Sequence, residues 1–167
     1  MPDIKLGSLF DGIGVFPLAA SRCGIRPVWA SEIEKAPISI TKRHFPDMAH
    51  LGDITKVDGG KIPPVHVITF GSPCQNLSLI GNRSGLAGAK SSLFYQAFRI
   101  IQEMRDATDN LYPATSIMRH TDGICVSTRA AYSLPAAMWR RTRWALRSIV
   151  PLVHRCLRLQ KKVNTFL

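Results

Sequence analysis

The stretch Ile4–Gly14, IKLGSLFDGIG, decides the fold. Ile4 to Phe10 reads as a buried strand, because it is a short apolar run closed by turn residues. It enters the turn Asp11-Gly12-Ile13-Gly14, after which Phe16 to Cys23 carries apolar residues at helical spacing until Gly24 ends the helix. Strand, glycine turn and helix in that order predict an α/β domain on a parallel sheet. The pattern then repeats. Pro27 to Ile33 (PVWASEI) predicts a second strand ending in acids, and Lys35 to Phe45 a helix that tolerates Pro37 in its first turn. Val65 to Phe70 (VHVITF) predicts a further strand, which enters Gly71-Ser72-Pro73-Cys74. Asn76 to Lys90, rich in Gly and Ser, reads as a long mobile loop. Ser91 to Arg105 reads as a helix with Leu93, Phe94, Ala97, Phe98, Ile101 and Met104 on one face.

The chain has 167 residues, 46% hydrophobic and 20% charged, which suits one compact domain and disfavours a disordered or collagen-like chain. No apolar run approaches the ~20 residues that span a bilayer, and MPDIKLGSLF lacks the regions of a secretory signal, so a cytoplasmic protein is expected. Cys23, Cys74, Cys125 and Cys156 show no C-x-x-C spacing, and the five histidines show no ligand spacing, so no metal site or disulfide framework is expected.

The net charge of +11 points to a polyanionic partner such as nucleic acid, and its distribution is uneven. Residues 1–110 hold 12 Lys and Arg against 10 Asp and Glu, whereas residues 111–167 hold 10 basic residues against the single acid Asp122. Two domains are expected on this ground: an α/β domain over 1–110, and a basic tail over 111–167 of doubtful fold, as an aberrant reading frame would produce. In that tail Tyr112 to Met118 predicts a weak strand, and Met138 to Ile149 a basic helix interrupted by Pro151.

Four features carry chemistry. The glycines of FDGIG sit at the carboxyl end of the first strand, where a turn without side chains admits a ligand close to the backbone. Glu32 follows Gly12 by 20 residues, the spacing at which a doubly wound sheet offers a carboxylate to ribose hydroxyls. An ordinary βα turn and a surface acid fit the same residues. Asp53 in Gly52-Asp53-Ile54 is placed to accept from an adenine amino group, and equally to cap a turn. Cys74 stands just beyond a buried strand, where a thiolate nucleophile or a small buried hydrophobe would sit.

Taken together, LFDGIG, the strand ending in Glu32, Gly52-Asp53-Ile54, GSPCQNLS and the helix opening SSLFYQAFRI occur in the order found in DNA cytosine-5 methyltransferases, which residues 4–110 resemble. The resemblance implies an incomplete, doubly wound, Rossmann-like methyltransferase sheet with S-adenosylmethionine as cofactor. It implies cofactor contacts at Phe10, Gly12, Gly14, Glu32, Ile33, Asp53, Ile54, Pro73 and Leu93. Val15 departs from the glycine usual after the turn. Cys74 matches the nucleophile, and Gln75, Ser78, Gly81, Asn82 and Arg83 match the segment that closes over double-stranded DNA around a flipped cytosine.

The chemistry explains the grouping. Cytosine C5 is a poor nucleophile until a thiolate adds at C6, whereupon it attacks a methyl sulfonium in line, and loss of the C5 proton and the thiolate restores the ring. C6 is shielded in a duplex, so the base must be flipped out. The family also engages cytosine N3 through a Glu-Asn-Val triplet on the next strand, and no acid occurs between Asp109 and Asp122. The expectation is therefore a truncated methyltransferase of the restriction-modification kind, weakly active alone or reliant on a separate C-terminal half. The alternative is a non-catalytic cofactor- or nucleic-acid-binding module with a basic tail.

Overall fold

A computed structural model of the chain describes residues 3–71, 89–120 and 123–127. The elements run β1 (Lys5–Leu9), α1 (Val15–Arg22), β2 (Arg26–Ser31), α2 (Lys35–His44), β3 (Ala49–His50), a 3-10 turn (Ile54–Lys56), β4 (Val67–Phe70), α3 (Ala89–Asp106), β5 (Thr115–His120) and β6 (Gly123–Ser127). They form one sheet in the order β3-β2-β1-β4-β5-β6. The pairings from β3 through β5 are parallel, and β6 returns antiparallel to β5.

Alternation along the central strands distributes apolar side chains to both faces, as a parallel sheet covered on two sides requires. On one face Leu6 and Val67 join Ile4, Phe16, Ala20, Ile25 and Ile117 beneath α1. On the other, Leu9, Ile68 and Phe70 join Trp29, Ile54, Val57 and the α3 residues Ala97, Ile100, Ile101 and Met104. The sheet is thus doubly wound. Strand order reverses at β1, which lies between β2 and β4, so the carboxyl edge there opens the crevice in which such sheets hold ligands.

Several elements differ at their ends from expectation, each for a local reason. β2 stops at Ser31 rather than Ile33, because the Glu32 carboxylate accepts the N–H groups of Ile33 and Glu34 and turns the chain. α2 stops at His44, with Phe45 as its cap donating to the Thr41 carbonyl. α1 runs from Val15 to Arg22 and closes in a Schellman motif, Gly24 donating to Ser21 and Ile25 to Ala20. Half-buried Cys23 is its cap and packs against the α1-side core. β4 begins at Val67, two residues late. α3 takes in Ala89 and Lys90, which the sequence reading assigned to a loop. Phe98, expected on the buried face, is 46% exposed, whereas Ile100 is fully buried. The reason is Gly59: a Cβ there would lie 2.3 Å from the Ile100 carbonyl, so the 57–60 segment packs directly on that side of α3. β5, from beyond the composition break, pairs with β4 from Val67↔Thr115 to Phe70↔Met118.

Gly7 is a second close approach. A Cβ there would lie 2.2 Å from the ring of Trp29, which is fully buried and donates its indole N–H to the Pro63 carbonyl at 2.9 Å. Gly7→Ala should therefore destabilise by about 1–3 kcal/mol through overpacking, read as a fall in Tm of several degrees. An unchanged Tm would mean the Trp29 ring does not lie over β1. Among the described residues, no helix is long and apolar enough to cross a membrane.

Candidate cofactor site at the carboxyl edge of the sheet

Three turns meet at the switch point. After β1 the chain passes Phe10 at φ 53°, Gly12 at 58° and Gly14 at 81°, all left-handed. Gly14 is the N-cap of α1, and a Cβ there would lie 2.7 Å from the Thr41 methyl, so no larger residue fits. Beside Gly12, by contrast, the space a Cβ would enter is open to 4 Å. The Gly12 N–H donates to Glu32 Oε2 at 2.8 Å, and Glu32 Oε1 accepts from Ile33 N–H at 2.7 Å and Glu34 N–H at 3.1 Å. The spacing read from the sequence is therefore a direct contact.

Ser31 extends the chain of bonds. Its carbonyl accepts from Asp11 N–H at 3.1 Å, and its hydroxyl donates to the Gly52 carbonyl at 2.7 Å. The turn bearing Asp53 is thereby tied to the other two. Asp53 Oδ1 accepts from the Thr55 N–H at 2.9 Å and its hydroxyl at 2.8 Å, which caps the 3-10 turn. Those two bonds, the backbone one first, hold its carboxyl below the usual carboxylate range.

The expected residues thus divide. Glu32 and Gly12 are bonded, Gly14 and Asp53 frame them, and Ile33 is 67% exposed beside Glu32, an apolar face open to a ligand. Phe10 and Leu93 are partly buried against the α3-side core. Ile54 is a core residue, 4% exposed, so its side chain belongs to packing and only its backbone faces the turn. Pro73, Cys74, Gln75, Ser78, Gly81, Asn82 and Arg83 lie outside the described residues.

Asp11 is a site residue that the sequence reading passed over as part of a turn. It is 5% exposed, and among the described residues neither carboxylate oxygen has a hydrogen-bond partner. Burial pushes its pKa up to about 7; the nearby Ser8 hydroxyl, short of hydrogen-bond geometry, opposes this, and the Glu32 charge adds to it. A buried acid with no partner is costly to hold and marks a place where a cation or proton is accommodated. The available signal was its position, directly after a buried strand and before the first glycine.

The family description C-5 cytosine-specific DNA methylase matches residues 4–108. The chain belongs to that family. Among curated relatives, the type II methyltransferase M.NlaIV of Neisseria lactamica is 30% identical over 135 residues, 77% of this chain and 30% of that protein. A protein of Escherichia phage P1 named as a DNA N-6-adenine-methyltransferase is 30% identical over 138 residues, 79% of this chain and 18% of that protein. The chain thus spans less than a third of either. The structure of the Dnmt2 methyltransferase of S. pombe matches with a TM-score of 0.52 at 20% identity, covering 86% of this chain and 41% of that one, a likeness of fold. The incomplete doubly wound sheet is that of S-adenosylmethionine-dependent methyltransferases.

Proposed function

We propose that this chain is the cofactor-binding part of a DNA cytosine-5 methyltransferase of the restriction-modification kind. The observation that carries the reading is Glu32, pinned by three backbone N–H groups at the switch point of a chain whose fourth strand runs into Gly-Ser-Pro-Cys.

The residues present fit S-adenosylmethionine, which when bound supplies an electrophilic methyl group on a sulfonium. A carboxylate offers about four acceptor positions; three are taken, leaving Glu32 Oε2 able to accept from a ribose hydroxyl. Exposed Ile33 gives adenine an apolar neighbour, and Asp53 an acceptor for its amino group. The open space beside Gly12 admits the ligand against the backbone, and Asp11 is the unpaired acid that suits its cationic end. Cys74, four residues past β4, is the nucleophile toward cytosine C6. Gln75, Ser78, Gly81, Asn82 and Arg83 hold the DNA strand from which the base is flipped.

A cytosine target follows from the thiol. Carbon C5 needs a nucleophile added at C6, whereas an exocyclic adenine amine attacks a sulfonium with its own lone pair and has no use for a cysteine.

One observation favours slow turnover, toward the reading of a binding module. β5, the strand beside β4, is TSIMRH and offers no carboxyl to cytosine N3, a loss that costs about 10²–10⁴ in rate when a general acid is removed.

The deciding experiment is single-turnover transfer from tritiated S-adenosylmethionine to mixed-sequence double-stranded DNA, with the labelled base identified after hydrolysis. Slow label appearing as 5-methylcytosine is expected. Label in N6-methyladenine, or no retention of cofactor by the chain, would overturn the reading.

A further inference from the structure

The ion pair Arg99–Glu103 on α3 looks at first like an ordinary i,i+4 pair of a helix surface, a weak contribution to stability. Its bonds reach further. Arg99 Nη1 donates to Glu103 Oε1 at 2.7 Å and to Oε2 at 3.0 Å, Nε donates to Gln96 Oε1 at 2.7 Å, and Nη2 donates to the Ile54 carbonyl at 3.0 Å. Glu103 Oε2 also accepts the Gly59 N–H at 2.7 Å. One ion pair therefore grips the 54–59 segment at both ends. Each guanidinium nitrogen has a partner, so the fork has one orientation. The same segment abuts the α3 backbone where Gly59 meets Ile100.

The gripped carbonyl belongs to the turn that Asp53 caps. Ile54 is anchored below by its side chain in the core, and Arg99 holds its carbonyl, so the orientation of the Ile54–Thr55 peptide, whose N–H donates to Asp53 Oδ1 at 2.9 Å, is fixed from two sides. A misplacement of about 1 Å is enough to lose a directional hydrogen bond. We propose that Arg99, braced by Gln96 and Glu103, is a positioning residue that sets the Asp53 turn to discriminate adenine by its amino group. This rests on the reading of Asp53 as the adenine partner given above.

The full chain would be titrated calorimetrically with S-adenosylhomocysteine and with its inosine counterpart, in which a carbonyl replaces the adenine amino group and meets the Asp53 carboxylate unfavourably. The native chain should prefer the adenosine compound by about 10-fold or more, as a site with a dedicated hydrogen-bond acceptor does. Arg99→Met should cut that ratio to about 3-fold or less, and Arg99→Lys, which keeps the charge and loses the fork, should not restore it. Glu103→Gln provides a milder variant that keeps the side-chain shape, with an intermediate ratio expected. Loss of stability alone would weaken both ligands together and leave the ratio unchanged. Variants that retain the native ratio would overturn this proposal while leaving the cofactor reading intact. A native chain that binds neither compound would overturn both.

Discussion

Cys74→Ser is expected to abolish covalent capture of cytosine while leaving cofactor affinity unchanged. In the proposed reaction the sulfur adds at C6; a serine hydroxyl at neutral pH supplies almost no anion, whereas a cysteine supplies a few per cent of thiolate and is intrinsically the stronger nucleophile. Removing a covalent nucleophile costs on the order of 10³-fold or more in rate. Because β5 offers no acid for cytosine N3, a low native rate is expected, so the readout must accumulate. DNA carrying 5-fluorocytosine does this. After thiolate addition and methyl transfer, C5 bears fluorine and methyl with no proton to lose, so the sulfur–C6 bond persists through denaturation. The native chain should form that slow-migrating adduct over hours in the presence of S-adenosylmethionine, and Cys74→Ser should form none. An adduct with the serine variant would remove Cys74 from the chemistry; calorimetry with S-adenosylhomocysteine verifies that the pocket is unaffected.

How much of this was legible in the sequence depended on whether a residue's role follows from its neighbours in the chain. β1, its glycine turn and α1 were legible because a continuous apolar run and a 3.6-residue period are local signals. Glu32 was legible because the βαβ unit has a nearly fixed length, so a 20-residue spacing translates into the 2.8 Å bond to Gly12. Asp53 and Ile54 were half legible. Their adjacency suggested a pair, but Ile54 turns its side chain into the core and offers only backbone, a division no residue type reveals. The buried face of α3 was misread at Phe98 because Gly59, some forty residues earlier, decides which side of the helix is covered. The brace from Arg99 to Ile54 was invisible for the same reason, since its two ends lie 45 residues apart. β5 was under-read, because its sequence follows a sharp change of composition that a strand pairing does not respect.

Asp11 was the least legible, and Asp11→Asn should have the most contrary effects: greater stability and weaker cofactor binding. The folded chain holds this carboxyl near pKa 7, against 3.8 for an unburied one. Between those values the unfolded chain releases the proton and the folded chain retains it, so stability falls as pH rises through that window and levels off above pH 7. A shift of that size corresponds to on the order of 4 kcal/mol at pH 8. Asparagine has no proton to release, so the variant should gain stability over the native chain steadily from pH 4 to 7, measured as the difference between urea unfolding curves of the two proteins. Below about pH 3, where the carboxyl is largely protonated in both states, the difference should nearly vanish, apart from the cost of the extra amide hydrogens. Binding should move the other way. An ionised Asp11 attracts the cationic end of S-adenosylmethionine, and a hydrogen bond to a charged group is worth about 1.5–3 kcal/mol, so Asp11→Asn should weaken cofactor binding roughly 10- to 100-fold at pH 8. Native affinity should climb as pH passes 7, while that of the variant stays flat. A stability difference independent of pH would show that Asp11 is solvated in the folded chain. Unchanged binding beside the stability gain would make its burial an accident of packing rather than strain held for a ligand.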